Sequence, residues 1–300
     1  MGRYATQKRC SIGQRFETGV RVIARERQER YDAGVQEKLM MHVLRKSVML
    51  TALAVFGFSS FFSGAMYGLE QTKQDNQTNK EEQTAAALVK LGAPIHKDSE
   101  GFVRWIEAAG GELSDEAMRL LPSLSKLEWL EIGGGKVTPS GVANLKGCAA
   151  LKRLYIHDIN LDGNSLDWLA NLKQLEALSL QRTGITGNFL KNLKAIDTIT
   201  VLNISGNPII NDDLAQIAVL KNLEVLALAN TKISATGMAK LEGMKRLNEL
   251  NLMNCPVSNE DVLSFLTMPN LRIVYAEGCN ISDMEIMDLK MKFPMLAIFR

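Results

Sequence analysis

Cysteine and histidine are scarce in this 300-residue chain: there are four cysteines (Cys10, Cys148, Cys255, Cys279) and three histidines, with no Cys-x-x-Cys spacing. That pattern fits neither a zinc site nor a disulfide framework, so no metal and no other cofactor is expected. The chain also lacks a phosphate-binding glycine loop and a zinc-protease signature. His157 and Asp158 are neighbours in sequence, but no serine or cysteine stands in an activated setting, so no enzymatic activity is expected. Nor is there an excess of one charge: the formal net charge is only +2. The balance hides an asymmetry. Residues 1–46 carry eleven Lys/Arg against five Asp/Glu, while residues 70–300 carry twenty-four against twenty-eight. A body without basic excess does not suit a phosphate backbone, so nucleic acid is not an expected partner.

One stretch lacks charge altogether. Ser47 to Leu69 runs for twenty-three residues without Asp, Glu, Lys or Arg. As a helix it is about 34 Å long, against a hydrocarbon core of about 30 Å. This predicts a retained transmembrane signal-anchor helix over 47–69, since the leader before it is too long for an ordinary cleaved signal peptide. Arg27, Arg30, Lys38, Arg45 and Lys46 precede the run, against Lys73 and Lys80 after it. The bias makes residues 1–46 a basic cytoplasmic head, helical by its mixed-sign run Arg21 to Arg30, and puts the remainder outside the cytoplasm. Ser60, Gly64 and Gly68 recur every four residues, a small-residue face through which two copies could form a homodimer. Residues 70–102 read as a polar tether and cap entry, because Glu70 to Thr84 has no aliphatic or aromatic side chain and cannot bury a core.

From Val103 onward the chain repeats itself every 24 residues. Matching lines begin at Val103, Leu127, Leu151, Leu175, Ile199, Leu223, Leu247 and Leu271, with a truncated copy from Leu296. Self-similarity at this period is the signature of a solenoid. Within a line, positions 1, 4 and 6 are aliphatic and end in strand-like alternation, which turns positions 3, 5 and 7 to the opposite face. Positions 16, 19 and 22 are apolar at helical spacing, as in Leu190, Leu193 and Ile196. Position 12 is usually Ser or Thr, the residue type that caps a helix N-terminus, and Ser258 with Asp261 and Ser282 with Glu285 read as capping boxes. One copy cannot bury enough apolar surface to offset its own chain entropy, so the copies must stack.

The pattern L-x-x-L-x-L-x-x-(T/N/C)-x-I, as in LEALSLQRTGI from Leu175, LEVLALANTKI from Leu223 and LNELNLMNCPV from Leu247, resembles that of leucine-rich repeat proteins. The constant 24-residue line is similar to the type found in bacterial membrane-anchored members. The resemblance covers residues 103–300. It implies an α/β solenoid with a parallel β-sheet on the concave face, helices on the convex face and ligand recognition as its work. It also implies ladder residues at position 9, here Thr183, Asn207, Thr231, Cys255 and Cys279. Gly135 and Ile159 depart from that pattern, so irregular turns are expected near the N-terminal repeats. Cys255 and Cys279 fall on adjacent turns and read as buried thiols, with an outward-facing disulfide as the other reading.

Large side chains at concave positions cluster toward the ends of the array. Trp, Tyr and Arg are the residue types that carry binding energy, so Trp129, Arg153, Tyr155 and His157, with neighbouring Arg182, form the candidate partner-binding patch. A competing role for Trp105 and Trp129 is to seal the N-terminal cap. The expectation is a non-enzymatic, membrane-anchored protein whose concave face binds a protein partner or an envelope polymer. The alternative is a structural, membrane-tethered assembly subunit or adaptor acting by self-association.

Overall fold

The computed structural model describes residues 78–161, 166–259, 261 and 268–300. The basic head, the span Ser47–Leu69 with Ser60, Gly64 and Gly68, and the first part of the tether lie outside the described residues. Among the described residues no helix is long and apolar enough to cross a membrane.

Ten strands form one sheet in sequence order: β1 (Ile95–Lys97), β2 (Val103–Ala108), β3 (Trp129–Gly133), β4 (Arg153–His157), β5 (Ala177–Gln181), β6 (Val201–Asn203), β7 (Val225–Ala227), β8 (Glu249–Asn251), β9 (Ile273–Tyr275) and β10 (Ala297–Phe299). All neighbours from β2 onward are parallel, and every pairing joins residues 24 apart, from Trp105 beside Trp129 to Tyr275 beside Phe299. The sequence period is therefore the pitch of the coil. Leu175, Leu178, Leu180 and Ile185 are each fully buried, as are Leu223, Leu226, Leu228 and Ile233 two coils later. One continuous core runs along the whole array.

The resemblance's ladder is present in atomic detail. The Asn207 Nδ2 donates to the carbonyls of Leu180 (2.6 Å), Ile204 (2.9 Å) and Ser205 (3.2 Å), and its Oδ1 accepts from the Thr183 N–H at 3.0 Å. Thr183 and Thr231 hydroxyls donate to the carbonyls of Leu180 and Leu228. The Cys255 and Cys279 thiols donate to Leu228 and Leu252 carbonyls at 3.0 Å each. Both are free and buried, so the disulfide reading falls and the buried-thiol reading holds. At the N-terminal end the ladder is replaced by backbone contact. Gly111 and Gly135 both have positive φ, and a Cβ on Gly135 would lie 2.6 Å from the Gly111 Cα. Two glycines let the turns close where no side-chain bridge exists.

The convex side is less regular than the spacing suggests. Its helices are one or two turns long, mixing α and 3-10 geometry, as at Asp115–Leu120, Pro139–Val142, Leu190–Leu193 and Leu214–Ile217. A 24-residue coil that supplies a strand and two turns leaves room for little more; the exception is Asp283–Lys292 in the last coil. Thr138 and Ser282 cap as expected, accepting from the Gly141 and Glu285 N–H groups. Ser114 and Thr186 make no side-chain cap bond. Position 13 supplies a second device: Asp115, Asn211 and Asn259 each accept from the backbone N–H of the capping residue one coil on, Thr138, Ser234 and Ser282.

The first coil is covered by the expected cap entry, with a helix that starts earlier than the polar stretch suggests. Residues 78–90 are helical, so residues 78–84 of the expected solvated tether are helix. Ala85 and Leu88 are buried on the core, and Glu81 is only 2% exposed. The Glu81 carboxylate accepts from the Val103 N–H at 3.2 Å and the Ser125 hydroxyl at 3.0 Å. A terminal coil needs such a cover, and β1 pairs antiparallel with β2 to close that edge of the sheet. His96 of β1 stacks on Trp105 with ring centroids 4.8 Å apart, which ties Trp105 into the cap.

Candidate recognition surface

Positions 3, 5 and 7 of successive strands line up across the concave face: Trp129, Arg153 and Ala177 in one row; Glu131, Tyr155 and Ser179 in the next; Gly133, His157 and Gln181 in the third. The five residues singled out from the sequence fall within three consecutive coils. Their exposure differs from expectation. Arg153 and Tyr155 are 5% and 8% exposed, Trp129 and His157 are half-buried, and only Arg182 stands out into solvent. Adjacent strands of a sheet lie about 4.8 Å apart, so long residues at matching positions cover one another. Trp129 and Tyr155 meet as a tilted aromatic pair with centroids 6.1 Å apart. The Trp129 indole N–H is buried and has no hydrogen-bond partner.

A chain of charges crosses the same coils. Asp158 binds Arg182 in a bidentate pair, Oδ1 to Nε at 2.6 Å and Oδ2 to Nη2 at 2.8 Å. Asp158 Oδ2 also lies 3.0 Å from His157 Nδ1. On the other side His157 Nε2 is 3.6 Å from Glu131 Oε1, too long for a hydrogen bond and close enough for attraction. The Arg182 guanidinium holds the Asp158 carboxyl down at about 2. The Glu131 carboxylate, with Asp158 assisting and burial opposing, raises the His157 imidazole above its ordinary value. Both ring nitrogens face acids, which suits a held cation and not a base serving a nucleophile. Among the described residues no cluster of His, Cys, Asp and Glu could hold a metal ion.

Local backbone explains the placement. Position 8 of seven consecutive coils turns left-handed: Gly134, Asp158, Arg182, Gly206, Asn230, Asn254 and Gly278 all have positive φ. Gly, Asn and Asp tolerate that region; Arg182 (φ 52°) is the exception. Gly133 has a different task. A Cβ there would lie 2.0 Å from His157 Cε1, so its bare Cα makes the seat on which the imidazole rests. Glu131 and Asp158 belong to the patch, although the sequence signal of large exposed types passed over them. Their alignment 24 or so residues from His157 and Arg182 was the available clue.

No protein-family model and no curated protein matches the sequence. Among solved structures, the chain is similar to a leucine-rich repeat protein of Leptospira interrogans, with 23% identity over 61% of this chain and a TM-score of 0.45. The match spans 45% of that protein's length. An internalin C2 of Listeria monocytogenes also matches, with 23% identity, 60% of this chain, 81% of that chain and a TM-score of 0.45. On its own geometry, a 24-residue pitch, a parallel concave sheet and a side-chain ladder from Thr183 to Cys279, the described body of this chain has the architecture of a leucine-rich repeat solenoid.

Proposed function

We propose that this chain is a non-enzymatic, membrane-anchored repeat protein that displays its concave face outside the cytoplasm and binds a protein partner there. The observation that carries the reading is the ridge of Trp129, Tyr155, His157 and Arg182, gathered from three consecutive coils onto one face. A half-buried Trp129 packed on Tyr155, beside an oriented guanidinium, is the composition of an interface anchor. Anchoring rests on the uncharged run Ser47–Leu69 and the basic excess before it.

Two experiments test the two halves of this reading. Protease added to intact cells is expected to remove the repeats and spare the head; protection of the repeats with digestion of the head would overturn the topology. Cross-linking in cells with Trp129→Ala plus Arg182→Ser is expected to lose a discrete adduct that the parent chain forms. An unchanged adduct pattern would remove the ridge from the account. Arg153 and Tyr155 are poor choices for this test, because their burial couples substitution to folding.

A further inference from the structure

The acids at the other end of the concave face have a different environment. At the N-terminal patch each acid is matched: Asp158 by Arg182 and His157, Glu131 by His157. On the last two full coils, Glu249 is 6% exposed and has no side-chain hydrogen bond or ion pair among the described residues. Its in-register neighbours are Val225 on one side and Ile273 on the other, neither able to donate. Burial alone pushes its carboxyl up, with no cation opposing. Glu277, on the same face two residues beyond Tyr275, has a buried Oε2 without a hydrogen-bond partner. Between these two acids lies an aromatic shelf: Tyr275 stacks on Phe299 with centroids 5.3 Å apart and ring planes 21° apart, and Phe299 is 47% exposed. Burial, and next the Glu249 carboxylate, raise the Tyr275 phenol, and the register sets Tyr275 beside Asn251, two residues along the strand from Glu249.

Three cations at this end are engaged elsewhere. Arg272 donates to the Pro269 and Leu271 carbonyls, Lys292 pairs with Asp288, and Arg300 pairs with Asp283. A carboxylate removed from water without a partner is costly, and the missing partner is positive. Four strand residues separate Glu249 from the row of Glu277, or roughly 13 Å, which is too far for one metal ion to bridge. An aromatic surface flanked by two carboxylates instead suits an extended organic cation lying over the ring.

We propose that Glu249, Tyr275, Glu277 and Phe299 form a subsite for one lysine or arginine side chain presented by a protein partner. The subsite rests on the reading of the concave face as the recognition surface and names the chemistry recognised at its C-terminal end. The cation stacks on the Tyr275–Phe299 shelf, satisfies Glu249 and reaches toward Glu277. Trp129 and Arg182 engage the same partner several coils away.

The test uses the full-length chain and three blocked tripeptides, acetyl-Gly-Arg-Gly-amide, its Lys counterpart and its Gln counterpart, with affinity read by calorimetry or NMR titration. The cationic peptides are expected to bind about tenfold more tightly than the Gln peptide, the scale of one desolvated cation–π contact joined to a carboxylate. Glu249→Gln, which keeps the side chain's shape, is expected to abolish that preference, and Glu277→Gln to reduce it about threefold. Trp129→Ala is expected to leave it unchanged. Equal binding of all three peptides, or a preference that survives Glu249→Gln, overturns the subsite. If the subsite fails while Trp129→Ala still removes the cellular adduct, the concave-face reading stands; if neither substitution touches the adduct, both fall.

Discussion

Asp158 and Arg182 occupy the same position of consecutive coils, both with left-handed backbone, and grip each other through two hydrogen bonds of 2.6 and 2.8 Å. Holding an arginine at positive φ costs of the order of 1 kcal/mol or more. The pair is close to half exposed on both sides, so its own contribution to stability is at most about 1 kcal/mol. Arg182→Gly is therefore expected to be about 1 kcal/mol more stable than Arg182→Ala in denaturant titrations, since glycine removes the backbone strain that alanine retains. Equal stabilities would mean that the strain is not there.

The imidazole of His157 gives the patch a pH signature. Its pKa is raised in the folded chain, so the stabilisation it brings is fully present below the unfolded value of about 6.5 and is lost as pH rises through the higher folded value. Asp158 has the opposite sense: its contribution is present above the ordinary carboxyl value and lost as pH falls toward about 2. Denaturation curves between pH 5 and 9 should show a loss of stability across the upper part of that range in the parent chain and a flat response in His157→Gln. Direct titration of the ring by NMR is expected to give a midpoint above 6.5.

Asn207 is the most heavily engaged ladder residue, meeting three carbonyls and one amide. Asn207→Ala leaves those buried groups without partners and is expected to cost about 3 kcal/mol. Thr231→Val, which removes one donor at the equivalent position, is expected to cost about 1 kcal/mol. Chemical denaturation of the two variants checks the ratio.

Three thiols, Cys148, Cys255 and Cys279, are buried and free. Burial pushes Cys148 up to about 12 and Cys279 to about 11, so neither forms thiolate at neutral pH. A thiol reagent is expected to leave all three unmodified in the native chain and to label them on unfolding. Rapid native labelling of Cys255 or Cys279, located by mass spectrometry, would contradict the ladder.

The coil was legible because its cause is local and repeated. Leucines at positions 1, 4 and 6 fixed pitch, register and core, and the ladder at Thr183 to Cys279 followed from the resemblance. What escaped was set by neighbouring strands and by the ends. Arg153 and Tyr155 alternate outward by period and are nonetheless buried, because neighbouring concave side chains close over them. Glu81 lies in a stretch too polar to suggest a core contact, and its carboxylate is buried because two donors of the first coil need an acceptor. Glu249 and Glu277 look like ordinary solvated acids until the sheet places them beside residues that offer no counter-charge.

The central claim is that partners meet this protein on the concave face. A photo-cross-linking residue at Gln181, beside His157 on that face, compared with one at exposed Lys146 on the convex side, tests it in intact cells. A discrete adduct from position 181, and none from position 146, is the expected result. The same adduct from 146 with none from 181 would contradict the account.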